Sequence, residues 1–185
     1  VTLAKEMIDA AKENFADCVK FQLFIAEKYI SENADKADYQ KSESYANKTQ
    51  RDIISESQIT IEDVLELRNY AEKKNIDFLC TPFEENSLEK LIKANVEAIK
   101  VSSCNLTNYP FLQRCKNSNI PVLLSSGMAT LDEVIKALLQ LSKSCAKIPM
   151  LSRTHGQPAS PTLLGKEIRL LFKFCDPLNK LDDVG

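Results

Sequence analysis

From Ile76 onward, short apolar runs alternate with longer amphipathic ones, and that rhythm leaves few folds open. Ile76 to Cys80 reads as a strand ending in Thr81-Pro82-Phe83, followed by a helix from Ser87 to Ala94. Ala98 to Ser103 is the next strand and Tyr109 to Lys116 the next helix. Pro121 to Ser125 is another strand, ending in Ser126-Gly127. Thr130-Leu-Asp-Glu133 has the form of a capping box, opening a helix that carries Leu131, Val134, Ile135, Leu138 and Leu139. Strands and helices alternating every ~20 residues predict right-handed βαβ units and a parallel sheet.

Upstream, Leu3 to Asn14 predicts an amphipathic helix with Thr2 as N-cap and Leu3, Met7, Ala10 and Ala11 on one face. Val19 to Phe24 predicts a buried strand whose polar side chains, Lys20 and Gln22, share one face. Residues 31 to 58 are rich in Ser, Asn, Lys, Gln and Asp and read as a long loop with a helical turn. Thr60-Ile-Glu-Asp63 is a second capping-box pattern, with Ile61, Val64, Leu67 and Ala71 on one face of the helix behind it.

The chemistry gathers at strand ends. Lys100 lies between Ile99 and Val101, so it points away from both, and burying an ammonium is costly unless something anionic answers it. Ser102 and Ser103 follow it, and the other strands also end in hydroxyls, Thr81 and Ser125. In parallel α/β folds ligands bind at the carboxyl ends of strands. Lys20, Thr81, Lys100, Ser103 and Ser125 are therefore expected on one rim holding a phosphate or carboxylate. The structural rivals are a snorkelling or ion-paired lysine, and hydroxyls that cap the following helix.

Composition narrows the classes. A net charge of −2 without a basic stripe argues against nucleic acid. No apolar run is long enough for a membrane span and no signal-like stretch opens the chain, so a cytoplasmic protein is expected. The six cysteines show no metal-ligand spacing and read as reduced thiols, and the single histidine rules out a histidine-rich metal site.

Several stretches carry a family resemblance: Val19-Lys-Phe-Gln22, Ala37-Asp-Tyr-Gln40, Cys80-Thr-Pro-Phe83, Lys100-Val-Ser-Ser103, Leu106-Thr-Asn-Tyr-Pro110 and Leu124-Ser-Ser-Gly-Met-Ala-Thr130. In this order and spacing the chain resembles the sialic-acid synthase family, the N-acetylneuraminate synthases with their legionaminate, pseudaminate and spore-coat relatives. The resemblance implies an α/β fold, a partial (β/α)8 TIM barrel of strands 2–5 over residues 1–145, with an unrelated segment at 146–185. It implies a transferase of sialic acid biosynthesis, condensing phosphoenolpyruvate with an N-acyl hexosamine such as N-acetylmannosamine to a nine-carbon sugar acid. A divalent metal, Mn2+ or Mg2+, would polarise the sugar aldehyde. By the same resemblance Lys20 and Lys100 neutralise the phosphate and carboxylate, Thr81, Ser103 and Ser125 donate hydrogen bonds to them, and Gln22 sits nearer the sugar.

The sequence also departs from that family. Its first-strand glutamate, in an Ala-Glu-Ile-Gly-like motif, and its two metal histidines have no counterpart, so turnover by this truncated chain alone is expected to be impaired. Cys104 replaces the glycine after the phosphate-binding serine, and Asn105 the acid beside it. Asn14-Phe15-Ala16 replaces the usual glycine before the second strand, and no glycine precedes Gly127.

Ile148-Pro-Met-Leu-Ser-Arg-Thr-His-Gly-Gln-Pro-Ala-Ser-Pro-Thr162 with Leu164-Gly-Lys-Glu167 resembles instead the adenylosuccinate lyase branch of the fumarase/aspartase superfamily. That resemblance implies an acid/base role for His155 and leaves two alternatives: a C–N lyase fragment, or an inactive binding or structural fragment. A half barrel exposes two sheet edges, so a homodimer, or cover by the Ile168–Phe174 run, is expected.

Overall fold

The computed structural model describes residues 1–36, 47–127 and 129–141, and the backbone of 150–151. They divide into two compact units, Val1–Asn95 and Val96–Gly185, each built of α-helices and parallel β-strands.

In the first unit, helix α1 (Thr2–Glu13) leads to strand β1 (Cys18–Leu23), the short helices α2 (Ala26–Tyr29) and α3 (Gln50–Ser55), helix α4 (Ile61–Lys73), strand β2 (Asp77–Pro82) and helix α5 (Glu85–Lys93). β1 and β2 pair in parallel from Cys18 opposite Asp77 to Leu23 opposite Pro82. Behind them Ile8, Leu67, Ala71 and Ile76 are buried together, with Ala4, Ala11, Val19, Phe21 and Phe78 packed against them. The Phe21 and Phe78 rings stack at 5.6 Å. Full burial of such aliphatic or aromatic side chains contributes about 1.5–3 kcal/mol each.

α1 therefore turns Ala4, Ile8 and Ala11 inward, not the Leu3–Met7 stripe. Leu3 is 70% and Met7 60% exposed. Small alanines on either side of Ile8 let α1 approach closely, and with 3.6 residues per turn Leu3 and Met7 fall outside that seam. Val1 is the N-cap, and Thr2 opens the helix without capping it. A polar latch closes the outer seam between α1 and α4. Lys5 pairs with Glu66 (2.6 Å), Lys74 with Asp9 (2.6 Å), and the Tyr70 hydroxyl donates to Asp9 (2.7 Å). The hydrogen bond from Lys74, then that from Tyr70, holds the Asp9 carboxyl below its ordinary value.

The stretch expected as a long loop with a helical turn contains a capped helix of six residues. Thr49 N–H donates to Asp52 Oδ2 (2.8 Å) and Asp52 N–H to Thr49 Oγ1 (3.1 Å), a full capping box at the start of α3. The same reciprocal pair, Thr60 with Asp63, starts α4 as predicted, and buries Val64, Leu67 and Ala71.

The second unit runs through strand β3 (Ile99–Val101), a 3-10 turn (Ser103–Asn105), helix α6 (Tyr109–Asn117), strand β4 (Val122–Ser125), helix α7 (Leu131–Leu141) and strand β5 (Met150–Leu151). β4 pairs in parallel with β3 on one side and β5 on the other. Ile99, Val101, Val122 and Leu124 share the buried side, with Phe111, Leu112, Cys115, Val134, Ala137, Leu138 and Leu141 also in the core. On α7 the inward stripe is Val134, Ala137, Leu138 and Leu141, whereas Leu131, Ile135 and Leu139 of the predicted apolar set are exposed.

Chain reversal without glycine has a plain solution. The residues just past α1, α4, α5 and α6 are Phe15, Asn75, Asn95 and Asn119, all with φ between 48° and 62°. Asparagine tolerates this left-handed region better than any residue but glycine. Phe15 does not, and it is 94% exposed, so no packing repays the strain.

Candidate functional site

Alternation along β1 sorts its side chains cleanly. Val19 and Phe21 face the helices, and Cys18, Lys20 and Gln22 face the other way. Lys20 is exposed rather than buried, which corrects the expectation of a buried strand. The parallel register sets Lys20 opposite Leu79 and Gln22 opposite Thr81, so Lys20, Gln22 and Thr81 share one side of the first unit's ladder.

Thr81 is the anomaly of that side. It is 1% exposed, and its Oγ1 has no hydrogen-bond partner among the described residues. An orphaned buried hydroxyl costs about 1–3 kcal/mol. The rival role, capping the next helix, belongs to Glu84, whose carboxylate accepts from Asn86 N–H (2.7 Å) and Ser87 N–H (3.1 Å) at the start of α5. The hydroxyl is thus left over from folding. Its neighbour Cys80 points to the helix side, where burial pushes the thiol up to about 12 and leaves it inert.

In the second unit Lys100 is half-buried between the fully buried Ile99 and Val101 and lies opposite Leu123. Ser125, two residues beyond Leu123, falls on the same side. Ser103 opens the 3-10 turn. Neither serine caps a following helix. Asn108 caps α6 by accepting from Phe111 N–H (3.3 Å), and Thr130 with Glu133 starts α7 in the predicted capping box. Within the turn Cys104 is exposed, and Asn105 is buried with its Oδ1 accepting from Asn108 Nδ2 (3.2 Å).

Sequence reasoning missed the aromatic residues past the strand ends. Phe24 and Phe83 meet edge to face (6.1 Å, 88°), and the Tyr29 ring lies 4.7 Å from that of Phe83. The signal was present in Thr81-Pro82-Phe83, an aromatic tied to a proline at a strand end. His155 and the Ala37–Gln40 motif lie outside the described residues. Among the described residues no three His, Cys, Asp or Glu side chains cluster to hold a metal ion, so these residues do not fit the divalent cation the resemblance implies.

The profile of the NeuB family matches residues 7–164. The chain belongs to the NeuB family. This bears out the sialic-acid synthase resemblance. It gives no support to a lyase segment at 148–167, because the NeuB match continues through residue 164. The N,N'-diacetyllegionaminic acid synthase of Legionella pneumophila is 38% identical over 136 residues, 74% of this chain and 38% of the relative. That of Campylobacter jejuni is 36% identical over 162 residues, 86% of this chain and 48% of the relative. Among solved structures, the N-acetylneuraminic acid synthetase of Leptospira borgpetersenii aligns with a TM-score of 0.69 at 28% identity, covering 86% of this chain and 51% of that one. The chain thus spans about half the length, or less, of the NeuB relatives it matches.

Proposed function

We propose that this chain binds phosphoenolpyruvate for condensation with an N-acyl hexosamine, giving a nine-carbon sugar acid of the sialic or legionaminic type. The observation that carries it is Thr81: a buried hydroxyl without a partner among the described residues, at a strand end, in a NeuB-family chain. A phosphate or carboxylate oxygen is the acceptor it lacks. Lys20 and Lys100 supply the positive charge a multiply charged enol phosphate needs, and Ser103 and Ser125 supply further donors. Gln22, opposite Thr81, offers both a donor and an acceptor to the sugar. Held in this way, C3 of the enol is presented to the sugar aldehyde, and positioning is the chain's contribution to rate.

The parallel ladders and the likeness to the Leptospira synthetase support a (β/α)8-type barrel as the scaffold. Unpaired cysteines at 18, 80, 104 and 115 suit a reducing cytoplasm. Among the described residues β1 has one strand neighbour, β2, and that open edge supports pairing of two copies. No helix among those residues is long and apolar enough to cross a membrane.

Thr81→Val tests the reading. Valine matches threonine in shape and removes the orphaned hydroxyl, so the unliganded variant is expected to melt at or above the wild-type temperature. Its phosphoenolpyruvate affinity by calorimetry is expected to fall roughly tenfold or more. Undiminished affinity in Thr81→Val refutes the assignment.

A further inference from the structure

Three aromatic residues of the first unit stand immediately beyond the Gln22–Thr81 pair. Phe24 follows β1 by one residue, Phe83 follows β2 by one residue, and Tyr29 ends α2. Phe83 N–H donates to the Leu23 carbonyl (3.2 Å), continuing the ladder past its last paired residues. The Phe24 and Phe83 rings then meet at 6.1 Å and 88°, with Tyr29 against both at 6.2 and 4.7 Å. Tyr29 is itself anchored through both ends of its helix. Ala26 N–H donates to Gln58 Oε1 (2.9 Å), and the Arg51 guanidinium donates twice to the Ile30 carbonyl (3.1 and 3.2 Å).

Only Pro82 separates Thr81 from Phe83. Proline fixes its own φ and confines the residue before it to extended backbone, so the Thr81-Pro82-Phe83 link has little slack. Where the Phe83 ring is held, Thr81 is held too. Register matters because a one-residue slip turns a strand's side chains to the opposite side.

We propose that Phe24, Tyr29 and Phe83 are positioning residues for phosphoenolpyruvate. Their ring packing locks the tips of β1 and β2 in register and keeps the Thr81 hydroxyl and the Gln22 carboxamide side by side. The inference rests on the phosphoenolpyruvate reading above. Edge-to-face packing depends on ring orientation and not on volume alone, so an aliphatic replacement keeps burial and loses the lock.

Calorimetric titration of the full chain with phosphoenolpyruvate, together with the NMR signals of Thr81 in the unliganded chain, tests it. Phe83→Leu and Tyr29→Leu are expected to weaken binding roughly three- to tenfold, while Phe83→Tyr, which keeps the ring, restores it. The Thr81 amide and γ-methyl signals are expected to shift and broaden in Phe83→Leu and to recover in Phe83→Tyr. A side chain that only adds burial would lower the melting temperature and leave those signals in place. Binding that needs the Thr81 hydroxyl but is unchanged in both leucine variants, with Thr81 signals unmoved, overturns the inference alone. A wild-type chain that binds no phosphoenolpyruvate overturns both.

Discussion

The two lysine-bearing strands look alike on paper and differ in the folded chain. In β1, Lys20 stands in solvent, and the helix-facing Val19 and Phe21 are only partly buried. In β3, Lys100 is half-buried, and its flanking Ile99 and Val101 are completely enclosed together with Val122 and Leu124 of β4. Alternation tells which way a side chain points but not how deep it lies, because depth is set by what packs around the strand. The contrast carries into electrostatics. A half-buried ammonium acts on an anion through a lower effective dielectric than one standing in water and salt. Two identical residue types in identical patterns should therefore contribute unequally.

Stability gives the largest test of that contrast. Leu124→Ala in β4 is expected to cost about 2–5 kcal/mol, and Val19→Ala in β1 about 1 kcal/mol, measured by urea unfolding. Equal costs would erase the difference between the strands. Ligand affinity gives the next. Lys100→Ala is expected to weaken phosphoenolpyruvate binding roughly a hundredfold and Lys20→Ala roughly tenfold, read by calorimetry. The reverse order would place the stronger anion contact on β1.

Smaller effects separate the helix ends. Phe15→Gly is expected to stabilise the chain by about 1 kcal/mol, since glycine relieves a left-handed residue that packs on nothing. An unchanged unfolding midpoint would mean that the strain is relieved elsewhere. Last comes acid. The backbone N–H groups of Thr49, Thr60 and Thr130 hold the Asp52, Asp63 and Glu133 carboxyls below their ordinary values. Because these folded values lie below the unfolded ones, the stabilisation is complete above about pH 4.5 and is lost as pH falls through the folded values. The melting temperature should drop across that acid range, and Asp63→Asn should flatten the drop by removing one of the titrating carboxyls.

Much of this was legible in residues. The alternation from Ile76 to Leu141 placed β2 to β4 and α5 to α7 to within a few residues, and the Thr60 and Thr130 boxes marked their helices. The box at Thr49 went unread because its short helix lies in a polar stretch, where Ile53 and Ile54 are too few to announce a face. The face of α1 was misjudged because Leu3 and Met7 outweigh the alanines that form the seam. At the site, the strand-end hydroxyls could be seen, but the orphaned state of Thr81 could not. It follows from Glu84 taking the helix cap, a choice visible only once α5 is placed. The lyase reading of 148–167 rests on a local run of residues and finds no support beside a NeuB match that extends over residues 7–164.

The helices starting at Thr49, Thr60 and Thr130 each carry their own opening signal, and those ending before Asn75, Asn95 and Asn119 carry their own stop. Punctuation of this kind is local and needs no distant partner to be read. Residues added or removed between such helices leave their boundaries where they were, so this architecture can change length by whole repeats while the chemistry at its strand tips keeps its address.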